Sequence, residues 1–203
     1  TGSAVNFATA ASTGLGSLTI NAGTGGVDFG VDVATTGSLT VNSDAAIAGA
    51  GILAVTGTAS FNTTGTSNAT VVSNSALTLG TSTVGGDLSV TVGGTSSLNV
   101  NGAIQVGGNT TLRANDDIIF AAAGDITTTT SGNIIVTADN DSDNNGSGGA
   151  ITMDAGTIFN AGTGTLALSA DEDITLGLLT TSSSSNADVT LTSTSGGVRD
   201  GDT

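Results

Sequence analysis

The sequence predicts an all-β fold, a right-handed parallel β-helix (β-solenoid) with coils of about 20 residues. Three observations carry this expectation. Pairs of aliphatic residues separated by one other residue recur along the whole chain. The larger intervals between equivalent pairs cluster near one period. The residues between the pairs are those that turn a chain, with Thr, Gly, Ser and Asn making up just over half of the 203 residues.

In a strand, residues i and i+2 point to the same face, so each aliphatic pair marks one inward-facing edge. In chain order the pairs are Leu18/Ile20, Val27/Phe29, Leu39/Val41, Leu53/Val55, Leu77/Leu79, Leu88/Val90/Val92, Leu98/Val100, Ile104/Val106, Ile118/Phe120, Ile134/Val136, Ile151/Met153, Leu166/Leu168, Ile174/Leu176 and Val189/Leu191. Each unit is short and bounded by Gly, Asn, Asp, Ser or Thr. No 3.6-residue pattern lasts long enough for a helix. Leu18 to Leu39 and Leu77 to Leu98 span 21 residues, Ile104 to Ile126 and Leu112 to Ile134 span 22, and Ile151 to Ile174 spans 23. A period near 20 holding two or three short strands suits a coil that runs along two or three sheets before the next stacks on it. Roughly nine or ten coils fit, giving a rod of about 45 Å at about 4.8 Å per coil. An antiparallel β-sandwich is the competing architecture. Scarce Asn-Gly and Asp-Gly hairpin signals weigh against it, as does the lack of aromatic core anchors beyond Phe7, Phe29, Phe61, Phe120 and Phe159.

Composition removes most chemistry. The formal charge is -15, with 17 acidic residues against Arg113 and Arg199, and there is no Lys, His, Cys, Pro, Trp or Tyr. A Ser-His-Asp or Cys-His nucleophile, a soft zinc site and a disulfide framework are therefore impossible. Without a basic patch nothing neutralises phosphates, which disfavours nucleic acid and anionic membrane surfaces as partners. The polar composition resembles a disordered linker, but Val, Leu, Ile and Phe exceed the roughly 20 % below which chains stay unfolded. Glu172 is moreover the single Glu. The most apolar run, residues 45–55, is broken by Gly49 and Gly51 and falls short of the about 20 residues of a membrane-spanning helix. No transmembrane segment is expected. Residues 1–203 read as a single β-solenoid segment, a slice of a longer repetitive protein, with an acidic loop insertion at 139–149.

A local signature recurs within the period: a small or acidic residue, then Asp or Asn, then an aliphatic that starts a strand. It stands as Gly86-Asp87-Leu88, Asp116-Asp117-Ile118, Gly124-Asp125-Ile126, Gly132-Asn133-Ile134, Glu172-Asp173-Ile174 and Ala187-Asp188-Val189. Stretches 112–118 and 168–174 add a strand, Ala, acidic turn, strand order. This pattern, clearest from residue 86 to 200, resembles the repeat region of filamentous-haemagglutinin-like secreted bacterial adhesins. The resemblance implies a long right-handed β-helix at the bacterial cell surface or outside the cell, a rod whose partners are its own copies or ligands on a host or neighbouring cell.

Three constellations are candidate sites. The run 139–146 alternates carboxylates, and Asp139, Asp141 and Asp143 are candidate ligands for Ca²⁺, which takes six to eight oxygens; calcium is the one cofactor the sequence suggests. It is no EF-hand, because position six is Asn144 and position twelve is Ala150. A solvated acidic insertion accounts for the same residues. Asp116 with Asp117, and Asp171 with Asp173, have the form of glycosidase carboxylate pairs. Their place at strand starts suits chain turning better, and no enzyme is expected. Thr127 to Thr130, Thr163/Thr165 and Thr190/Thr192 raise an ice-binding row, yet they fall in different phases of the period. The expected function is a structural and adhesive rod segment. The alternative is a self-assembling subunit of an extracellular filament or surface layer, with calcium as its bridging ion.

Overall fold

The computed structural model describes residues 3–7, 12–129, 131–141, 148–184 and 188–201. Alternation of aliphatic and small polar residues produces short strands throughout, all paired in parallel. The described residues contain no α-helix, only a single 3-10 turn at Gly23–Gly25, and no helix is long and apolar enough to cross a membrane.

The first face is a sheet of nine strands: Val5–Asn6, Val27–Asp28, Ile47–Ala48, Ala69–Ser73, Leu88–Val92, Thr110–Ala114, Ile134–Thr137, Leu166–Ala170 and Val189–Ser193. Nine levels mark eight complete turns of a β-solenoid. Register partners along this face lie 19 to 24 residues apart, apart from Ile134 and Leu166, which are 32 apart. That long coil contains the acidic segment. The intervals from Leu18, Leu77, Ile104 and Ile151 match the observed register. The pairing of Leu112 with Ile134 does not: Ile134 lies over Thr110 and Leu112 lies under Val136, because this coil is two residues longer than the spacing of the aliphatics suggests.

The second face changes shape along the rod. Leu18–Asn21, Leu39–Ser43 and Thr58–Thr63 stack as single strands. Above Thr58–Thr63 the sheet forks, since that strand pairs with both Leu77–Leu79 and Ser82–Val84. One column then runs through Leu98–Val100, Ile118–Phe120, Ile151–Met153, Ile174–Leu176 and Val198–Asp200. The other runs through Ile104–Val106, Ile126–Thr128, Ile158–Asn160 and Leu178–Thr180. The early coils instead carry a third sheet of Ser12–Leu15, Val33–Thr35 and Leu53–Val55. Just below the fork Gly49, with a φ of 134°, turns the chain immediately after Ile47–Ala48. One level up, Val71 occupies that register position, and β-branched Val71 and Val72 keep the strand extended to Ser73.

Inward positions form continuous columns. Leu77, Leu98, Ile118, Ile151 and Ile174 make one, and Val71, Val90, Leu112, Val136 and Leu168 another, all buried. Phe61, Phe120 and Phe159 are the largest fully buried side chains, and the rings of Phe120 and Phe159 meet edge to face at 4.8 Å. Each such burial stabilises the fold by about 1.5–3 kcal/mol relative to exposure. Polar residues at inward positions close the corners. The hydroxyls of Thr35, Thr63, Ser73, Ser82 and Thr128 donate to carbonyls of nearby corner residues, at 2.6–3.1 Å. Thr110 is the exception among the described residues, since its buried Oγ1 has no hydrogen-bond partner.

At one corner Gly86, Gly108, Gly132 and Gly164 stand over one another, two residues before each first-face strand. A Cβ on Gly132 would fall on the carbonyl oxygen of Gly108, and one on Gly164 on that of Gly132. Gly132→Ala is therefore expected to cost about 3 kcal/mol of stability, as overpacking against an unyielding backbone does. Thr110→Val keeps the shape and removes the unsatisfied hydroxyl, and should gain about 1 kcal/mol. Urea unfolding of the two variants beside the parent chain checks both signs.

Candidate functional site

The functional question reduces to what the carboxylates and amides at the corners do. A residue that turns into a strand carries an N–H at the edge of the regular ladder, and such a group needs an acceptor. The side chain of the equivalent residue one coil below supplies it. Asn68 Oδ1 accepts the N–H of Asp87 at 2.8 Å, Asp87 Oδ1 that of Asn109 at 2.7 Å, Asn109 Oδ1 that of Asn133 at 2.9 Å, and Asn133 Oδ1 that of Thr165 at 2.9 Å. Along the forked face, Asp117 accepts from Ala150, Asp125 from Ile158 and Asp173 from Gly197, at 2.8–2.9 Å. Asp32 does the same for Ile52 in the early coils. Five of the six signature residues thus accept a main-chain N–H from the next coil. The sixth, Asp188, lies in the last coil.

The paired carboxylates diverge. Asp116 Oδ2 accepts the hydroxyl of Ser97 from the coil below at 2.8 Å, while Asp117 serves the coil above. Asp173 also holds Arg199 in an ion pair at 2.8 Å. Asp171, only 6 % exposed, sits beside Gly149. A cleft of about 590 Å³ lined by Glu172, Asp173, Ser195 and Arg199 lies at this end of the rod.

The acidic segment leaves the coil at Asp139, whose φ of 54° is the left-handed conformation that Asp tolerates better than most residues. The register of Ser169 over Thr137 carries Asp139 and Asp171 to equivalent positions of successive coils, with Gly149 beside both. Asp141 is exposed and its Oδ2 accepts the amide of Asn115 at 2.9 Å. Asp143 lies outside the described residues. Among the described residues no three acidic side chains form a group able to hold a metal ion.

The threonine runs occupy three different settings. Thr127 points outward and Thr128 inward on one strand, Thr163 and Thr165 lie at a corner, and Thr190 and Thr192 face outward on the first face. The outward positions stacked with Thr190 and Thr192 are Ala167/Ser169, Ile135/Thr137 and Thr111/Arg113, so no repeated Thr-x-Thr row forms there.

One polar array escaped the sequence reading. Asn42 Nδ2 donates to Asn21 Oδ1 and Asn62 Nδ2 to Asn42 Oδ1, both at 2.9 Å, and Asn62 Oδ1 accepts the N–H of Thr83. This amide ladder borders a cavity of about 290 Å³ with Ser43, Asp44 and Thr64. Its signal was available in three Asn residues spaced 21 and 20 apart, close to one period of the repeat.

These contacts separate acceptor from charge. Asp117→Asn keeps an acceptor for the Ala150 N–H and should unfold within about 0.5 kcal/mol of the parent, whereas Asp117→Ala leaves that N–H unmet and should lose about 1–2 kcal/mol. Chemical denaturation of both variants distinguishes an architectural carboxylate from one whose charge matters.

Residues 15–68 and 66–133 match, in two consecutive stretches, the family model described as repeats of unknown function (DUF5649). No curated protein and no solved structure matches the chain. The two matched stretches together cover more than half of the chain and run through the stacked coils, from the early three-sheet coils past the fork; the chain belongs to this family of repeats.

Proposed function

We propose that this chain is a structural and adhesive rod segment of a secreted or bacterial cell-surface fibrous protein. The observation that carries the reading is the use made of its polar groups: signature Asp and Asn side chains join successive coils by accepting main-chain N–H groups. A chain built this way supplies length and stiffness, and offers outward faces of Thr, Ser and Asn to a surface ligand on a host or neighbouring cell. The recurring Asp-aliphatic signature, shared in kind with filamentous-haemagglutinin-like adhesins, supports the same reading and an extracellular location. So does the acidic surface, because a charge of -15 keeps rods soluble and apart.

A second reading is self-assembly into an extracellular filament or surface layer, for which the acidic segment between Ile134 and Ile151 offers carboxylates that a divalent cation bridges. Calcium would act in this reading by bridging carboxylates such as Asp139 and Asp141.

Small-angle scattering and electron microscopy of the purified chain, in chelator and in millimolar Ca²⁺, test both. The rod reading expects particles about 40 Å long by coil rise, the same in both buffers, and binding of chain-coated beads to cells that soluble chain competes away. Filaments that form only with Ca²⁺ would replace it with the assembly reading. A flexible coil in solution would sink both.

A further inference from the structure

We infer that Asn101 is a site of spontaneous backbone modification, a succinimide-forming asparagine set in a corner of the rod. The chemistry needs three things: an Asn followed by Gly, an Asn side chain free to rotate, and a following N–H not held in a hydrogen bond. Among the described residues, Asn101 is the one asparagine followed by glycine. It is exposed, at the corner between strands Leu98–Val100 and Ile104–Val106, and its side chain makes no hydrogen bond. The N–H of Gly102 also has no acceptor, because the coil-to-coil ladder uses the N–H of Asn101, which donates to Leu79, and resumes at Ile104, which donates to Asp125.

The ladder asparagines are in the opposite state. Asn21, Asn42, Asn62, Asn109 and Asn133 hold their amide groups in coil-to-coil bonds, and none precedes glycine. The ladder amides are thus locked by the bonds that build the rod, and Asn101 lies outside that system.

In the reaction, hydroxide removes the Gly102 amide proton and the nitrogen attacks Cγ of Asn101. The Cγ–Nδ2 bond breaks and ammonia leaves, giving a five-membered succinimide. Water then opens the ring at either carbonyl, to aspartate or to isoaspartate, with no change in oxidation state. Isoaspartate inserts a methylene into the main chain where there is no slack, since even a Cβ on Gly102 would meet the Thr81 backbone. It also adds a negative charge to an already acidic rod.

The test is to age the intact folded chain in mildly alkaline buffer and map its peptides by mass spectrometry, with an isoaspartyl methyltransferase assay alongside. Residue 101 should gain one dalton at a rate within about tenfold of the free peptide spanning 99–104, because the Asn101 side chain is exposed and reaches the buried Gly102 nitrogen within its own corner without unfolding. The rate should rise in proportion to hydroxide, and the aged fraction should unfold at lower urea. Asn101→Gln should abolish the gain at that position, with Asn42 unchanged in the same map as the internal control. An Asn101 still intact when the free peptide has converted would overturn the inference. So would conversion that occurs only in denaturant.

Discussion

The main-chain hydrogen bond from one coil to the next is the interaction on which everything else in this molecule depends. Parallel strands stack at about 4.8 Å per level, and each level must present its N–H and C=O groups in register with the one below. That requirement is strictest at corners, where the chain turns from one strand into the next. Two consequences follow from it. Backbone passes so close to backbone that Gly132 and Gly164 admit no Cβ. An N–H also falls outside the ladder, and an Asp or Asn side chain takes it.

The acidic composition gains a structural meaning from this. Many of the carboxylates serve as acceptors at fixed positions of the coil rather than as a diffuse solvated surface, which is why they precede aliphatics so regularly. Asp and Asn are interchangeable there, as Asn68, Asp87, Asn109 and Asn133 show in one column. What the position selects is an oxygen on a short side chain. Charge is a by-product, and its accumulation along the rod works against lateral contact.

The fork in the second face coincides with a change in the length of the first-face strand. Gly49 turns the chain after two residues, and Val71 at the same register position does not. The first face lengthens from Ile47–Ala48 to Ala69–Ser73, the third sheet ends, and one strand becomes two. The coil circumference stays nearly constant, so residues moved onto one face are taken from another. The strand that forks, Thr58–Thr63, lies in the first of the two matched family stretches, and the two strands stacked on it lie in the second.

All fourteen aliphatic pairs read from the sequence lie in or beside strands, because an i, i+2 pair of large apolar side chains has one low-energy arrangement on a pleated sheet. The sequence by itself therefore determined the all-β class, the parallel repeat and most of the core, and its missing residue types excluded whole chemistries. Strands such as Thr58–Thr63, Ser82–Val84 and Thr110–Ala114 escaped it, since their inward positions include Ala, Ser and Thr, which are as common in turns. The Asn21–Asn42–Asn62 ladder, the divergence of Asp116 from Asp117, and the register that lays Ile134 on Thr110 were decided only by the tertiary structure. Each depends on what the neighbouring coil places within hydrogen-bonding reach, and that is set by the length of every turn between them, which local pattern does not encode.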